Sequence, residues 1–313
     1  MSHSTVLVIV NQADDDTAAY AAAERMLAPF NEELEVEPYK NYEKAGGLPL
    51  TRPDQHWYYS DLVKKGHEIP DLATLARVLN ETWDDEERHG ADEQGLYQMS
   101  TYNPQSKWDF YQLGGRWTGF FMVKAAVNAV VATGDPGLFT KPAEDGTADL
   151  VQKRNVDFEM MRRESEIYAE QRWEHWLEVL ASVPKEDLDY ESWDSIRERL
   201  TNMDDAREEY GRQPIVKAMR SPEHRDNFGW TESPESFYYG EPNAHERWIQ
   251  DAINSTAVPF AVLDSEGWTE RGRMGWWGMV SNEKDADDWN ASVAQLYDNL
   301  SDDAWLVLFD VHI

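Results

Sequence analysis

The sequence contains no cysteine. That excludes a disulfide, a thiolate nucleophile, a zinc ribbon and a cysteine-ligated iron–sulfur cluster. Positive charge is also scarce: 29 Lys and Arg stand against 60 Asp and Glu, for a formal net charge of −31. Clustered cations neutralise phosphate backbones, and no stretch supplies such a patch, so direct binding of DNA or RNA is not expected. Long apolar runs are missing as well. The longest, around Trp117 to Ala132, is broken by Lys124 and Asn128 and is too short to span a bilayer. The first apolar run, Val6 to Val10, has no cationic flank and meets Asp14-Asp15-Asp16. It reads as a strand entering a helix, not as a signal peptide. The expectation is a cytoplasmic protein with no membrane contact.

What is present is enough for a sizeable core. Of 313 residues, 41% are hydrophobic, and 14 are Trp. A surplus of Trp suits ligand or partner surfaces as well as cores, because indole offers apolar area and one donor. The acid is spread along the whole chain, with no concentrated stripe. An even spread fits solubility or halophilic adaptation better than mimicry of nucleic acid.

Local pattern gives an α+β fold. Val6 to Val10 predicts a buried strand, Thr17 to Ala28 a helix ended by Pro29, and the alternating Leu34-Glu35-Val36-Glu37 a second strand, which together make a β-α-β opening. Asp71 predicts a cap for a helix through Asn80. From about 150 to 255, apolar residues recur at helical spacing among Glu and Arg pairs three and four apart, which predicts a helical insertion with a break at Pro184 and a second helix near Trp193 to Asn202. Strands return at Pro259 to Leu263, Trp268 to Arg273 and Gly275 to Ser281. A helix capped by Asp285 and a strand from Ala304 to Ile313 close the chain. The reading is one α+β domain over 1–313. Both chain ends build a mixed or antiparallel sheet with helices on one face, and a helical insertion interrupts it.

Three segments carry chemistry-bearing residues. In Lys107-Trp108-Asp109 through Gly114-Gly115-Arg116-Trp117, paired glycines let the backbone approach a ligand, Arg116 suits a carboxylate or phosphate, and Trp108 or Trp117 could stack on a flat ring. The plain structural alternative is an aromatic hairpin whose Arg pairs with an internal Asp. The segment lacks the Gly-Lys-Ser/Thr element of a P-loop. Arg273-Met274-Gly275-Trp276-Trp277 repeats the combination and offers Arg273 and Trp276 to the same pocket, or forms a bulged hairpin instead. At the terminus, Asp310 and His312 share one face of a strand with Leu306 and Leu308. They read as an acid/base pair, as two metal ligands, or as a satisfied structural pair held by Arg116.

Ser106-Lys107-Trp108-Asp109-Phe110-Tyr111 with Gly114-Gly115-Arg116-Trp117 resembles the signature of a family of uncharacterised proteins from tailed phages and their prokaryotic hosts. Leu27 to Glu32, Val36 to Tyr39, Gly272 to Gly278 and Asp310 to Ile313 resemble its outer blocks; the helical middle does not. Val311 stands where relatives carry Cys, against a thiol role. The resemblance implies a phage or mobile-element accessory protein and no particular reaction, cofactor or oligomeric state. Taken with the residues, the expectation is a binder of an anionic, nucleotide-like small molecule acting as hydrolase or transferase. The alternative is a non-catalytic sequestering protein or inhibitor of a host protein.

Overall fold

The computed structural model describes residues 2–83, 88–125, 131–137, 140–229, 231–275 and 278–312. They form two compact units, Met1–Met26 with Tyr111–Ile313, and Leu27–Phe110. The single-domain reading did not set the second unit apart.

The larger unit is built on a mixed sheet. Its strands are β1 (His3–Val10), β2 (Phe110–Leu113), β3 (Val131–Ala132), β4 (Leu150–Gln152), β5 (Ala261–Asp264), β6 (Gly267–Glu270) and β7 (Trp305–His312). Their order is β6-β5-β1-β7-β4-β3, with β2 also on β7. β1 runs parallel to β5 and antiparallel to β7, from His3 opposite His312 to Val10 opposite Trp305. The two chain ends therefore meet at the sheet centre, as expected for this α+β fold. β4 bonds to β7 along Trp305–Val307. At Leu308 the neighbour changes: its N–H donates to the Asp149 carbonyl, and its carbonyl accepts from Gly114 N–H.

Helices cover both sheet faces, which corrects the one-face expectation. Trp289, Val293 and Tyr297 of a helix over Ala286–Asn299 pack with Leu7, Ile9, Leu306 and Leu308. Phe309 points the other way and meets Tyr20 of helix α1 (Asp16–Leu27) at 5.8 Å. The unbroken apolar character of Val6 to Val10 and Trp305 to Phe309 is the signature of a sheet covered twice.

The helical insertion begins after Gln152, because 150–152 belong to the sheet as β4. It comprises α2 (Phe158–Ser182), α3 (Trp193–Arg199), α4 (Met203–Arg212), α5 (Pro214–Met219) and α6 (Ala244–Asn254), and the helix over Ala286–Asn299 is α7. Local caps set the boundaries: Asp157 accepts from Met160 N–H, Ser192 from Ser195 N–H, and Asn202 from Asp204 N–H. A second core forms here around Trp176 and Phe237, stacked at 5.1 Å. Among the described residues, no helix is long and apolar enough to cross a membrane.

The unit over 27–110 has its own core of Leu50, Leu62, Leu75, Leu79 and Leu96. Asp71 caps its helix Leu72–Trp83 through Thr74 N–H. The predicted strand at 34–37 does not form. Val36 N–H makes a single bond to the Thr101 carbonyl, just past the strand Gly95–Ser100, and the strand itself lies at Tyr39–Tyr42, after Pro38, antiparallel to Gly95–Ser100. The β-α-β opening is thus replaced by a separate three-stranded antiparallel sheet in the order Tyr39–Tyr42, Gly95–Ser100, His89–Asp92. In it, the Lys40 ammonium (2.6 Å) and Gln94 N–H hold the Asp92 carboxylate at about 2, against an ordinary 3.8, with help from the Tyr42 hydroxyl. A depressed carboxylate stabilises the fold above its ordinary value and loses that contribution as pH falls through the folded value. Carboxyl-carbon NMR should therefore find Asp92 titrating near 2, and Lys40→Ala should move the midpoint up toward 3.8.

Candidate functional site

The site grows from the β7 edge, where the chain between β2 and β3 leaves the sheet. Gly114 and Gly115 sit at φ 64° and 53°, in the left-handed region. A Cβ on Gly114 would lie 2.3 Å from Asp149 Oδ2, and one on Gly115 2.4 Å from Asp310 Cβ. The glycine pair is thus wedged between two buried carboxylates.

Asp149, immediately before β4, is fully buried. Its Oδ1 accepts from Gly119 N–H (2.7 Å) and Phe120 N–H (3.1 Å), and its Oδ2 from Thr118 Oγ1 (2.9 Å) and Gly134 N–H (2.8 Å). Backbone dipoles here take the place of a counter-ion.

Asp310 makes the second anchor. Its Oδ2 accepts from Arg116 N–H at 3.0 Å, and its Oδ1 lies 2.7 Å from His3 Nδ1. An ionised carboxylate can only accept, so in this contact Nδ1 is the donor, and Nε2 takes no part in it. The His3 side chain is 18% exposed, against 5% for Asp310, so the imidazole is reachable while its carboxylate is shielded. His312 stands opposite His3 in the strand register, with the two rings edge-on at 5.0 Å. Next to His3, Ser2 Oγ donates to Gly275 O (2.6 Å) and accepts from Gly278 N–H (2.8 Å). The start of β1 thereby joins Asp310 and His312 to Gly275 and Gly278, and through Asp310 to Arg116 N–H.

The predicted residues divide accordingly. Gly114, Gly115, Asp310 and His312 come together as described. Asp310 is held by the backbone of Arg116, not by its guanidinium. The Arg116 and Arg273 side chains are exposed, and neither forms an ion pair among the described residues. Trp117 is partly buried on the sheet core, so it is revised from a stacking platform to a packing residue. Trp108 is also revised: it is 6% exposed, and its indole N–H donates to Leu27 O at 3.1 Å. Lys107, Trp108 and Asp109 belong to the 27–110 unit, where Lys107 N–H bonds to Phe30 O and Trp108 O accepts from Glu32 N–H. Trp276 lies outside the described residues. Among the described residues, no three His, Asp or Glu side chains gather so as to hold a metal ion.

Sequence reasoning missed Asp149, Ser2 and His3. An acid directly before Leu150-Val151, in a strand pattern, was a usable signal for Asp149. His3 carried no signal until the register placed it opposite His312.

Replacing Asp149 by Ala leaves the backbone N–H groups of Gly119, Phe120 and Gly134 without their acceptor, while the Thr118 hydroxyl keeps the Gly134 carbonyl. Urea denaturation should show a loss of about 3–5 kcal/mol, from roughly 1–3 kcal/mol per stranded group with partial relaxation.

Comparison of the chain with protein-family models, curated proteins and solved structures gives no match.

Proposed function

We propose that the meeting point of the two chain ends binds an anionic, nucleotide-like small molecule and that His3 moves a proton on it, in a hydrolysis or group transfer. The observation that carries this reading is the Asp310 carboxylate. It holds His3 Nδ1 and Arg116 N–H at once, which fixes the imidazole and the Gly-Gly-Arg turn relative to each other. An Asp–His couple of this kind sets the tautomer and leaves Nε2 as the base, and a positioned base of this type contributes about 10²–10⁴-fold to rate. Arg116 and Arg273 supply the anion's counter-charge. In a chain with twice as many acids as bases, two arginines outside any described ion pair are consistent with charge kept for a ligand. The segmental resemblance to phage and prokaryote proteins supports an accessory role.

The test is a panel of nucleoside phosphates scored for binding and turnover. Arg116→Ala should weaken binding at least tenfold. His3→Ala should leave binding within a fewfold and remove turnover, with thermal unfolding checked in both variants. Binding without turnover in the parent protein would assign sequestration instead. Absence of binding across the panel would end the anion reading.

A further inference from the structure

Within the 27–110 unit, one buried histidine has both ring nitrogens committed. The His56 side chain is 3% exposed and sits between the turn Pro53–Gln55 and the helix Tyr59–Lys64. The Tyr58 backbone N–H donates to its Nδ1 at 3.2 Å, and its Nε2 lies 3.0 Å from Glu43 Oε2. A backbone N–H can only donate, so Nδ1 carries a lone pair. An ionised carboxylate can only accept, so Nε2 carries the proton. These two contacts together fix His56 as the neutral Nε2–H tautomer.

The charged and titratable groups around the ring come from several elements. Beyond His56, Glu43 Oε1 lies 3.9 Å from His89 Nε2, and His89 Nδ1 lies 2.9 Å from Asn80 Oδ1. In the preceding turn, Asp54 pairs with Arg52 at 3.6 Å. From the following helix end, the Lys65 ammonium stands 3.3 Å from the Tyr58 hydroxyl and 5.2 Å above its ring. Trp57 and Tyr58 form an aromatic corner with Trp83, at the end of the helix Leu72–Trp83. Tyr58 meets Trp83 at 4.3 Å and Trp57 at 5.0 Å, and the two indoles lie nearly parallel at 6.0 Å. Trp57 is 78% exposed and Trp83 47%. The corner therefore faces solvent, while the imidazole that holds its backbone does not.

A second proton can enter the His56 ring only at Nδ1. There it meets the Tyr58 N–H, donor against donor, at a ring with almost no solvent contact. We propose that His56 is a pH-sensitive latch on the aromatic corner. Uptake of one proton at Nδ1 expels the Tyr58 amide, while Nε2–H stays on Glu43 as an ion pair. The backbone at Tyr58 swings away, and Trp57 and Tyr58 part from Trp83. Loss of the proton restores the contact. Histidine switches work in this way, through a local change of charge that biases a two-state element. The latch lies wholly within 27–110 and shares no residue with the His3 site.

The test is NMR of the full isotope-labelled chain between about pH 8 and pH 5. At the alkaline end His56 should show the Nε2–H tautomer. On acidification the Tyr58 amide and the Trp57 and Trp83 indole signals should shift with the same midpoint as His56 Nδ1. Protection of the Tyr58 amide against hydrogen exchange should fall roughly tenfold, the worth of one hydrogen bond. His56→Asn keeps an acceptor for Tyr58 N–H and does not titrate, so it should abolish these shifts. His89→Gln should leave them in step with His56. Circular dichroism checks each fold. If His56→Asn unfolds, Glu43→Gln decides: without the carboxylate, the His56, Tyr58 and indole transitions should move together to more acidic pH. Titration of His56 with the Tyr58 amide still in place would overturn the proposal. So would indole shifts that persist in His56→Asn or keep the parent midpoint in Glu43→Gln, or a His56 that stays neutral throughout.

Discussion

The antiparallel pairing of β1 with β7, from His3 against His312 to Val10 against Trp305, is the constraint on which the larger unit depends. Both strands are buried on both faces, and each apolar side chain they bury contributes roughly 1.5–3 kcal/mol. The pairing joins residues some three hundred positions apart and places both chain ends at the centre of the sheet. β5 then adds beside β1, and β4 and β2 share the free edge of β7. That shared edge creates the discontinuity at Leu308 from which the Gly114-Gly115 turn projects.

Polar groups in this interior follow one rule: each buried carboxylate is met by donors. Asp149 gathers backbone N–H groups from two stretches, Gly119-Phe120 and Gly134, and Asp310 gathers a backbone N–H and an imidazole. Neither uses an arginine side chain. The guanidinium groups of Arg116 and Arg273 are left at the surface. A site of this type is rigid where the backbone converges and open where the charge sits.

The helical insertion follows a different logic. Its core is aromatic, with Trp176, Phe237 and Trp248 stacked in sequence, and side-chain caps start α2, α3 and α4. Where α6 leaves this core for β5, the left-handed Ala257 turns the chain, and the Tyr297 hydroxyl donates to its carbonyl.

By itself, the sequence determined the local elements whose signals are chemical and short-range. The apolar runs of β1 and β7 were legible, as were the caps at Asp71 and Asp285 and the helical insertion, because side-chain pattern and backbone donors act within a few residues. Pattern failed at Leu34 to Glu37, where alternation found no partner strand and the pairing passed to Tyr39–Tyr42 beyond Pro38. It failed again at Trp108 and Trp117, since an indole has the same appearance in sequence whether it stacks on a ligand or fills a core. Glycine, Arg116, Asp310 and His312 could be named as a group from their residue types. That His3 joins them, that Asp149 props the same turn, and that Arg116 contributes its backbone to Asp310 and its charge to solvent were decided only by tertiary structure. Strand register and loop contact set those partnerships across the length of the chain, and neither leaves a mark in the local sequence.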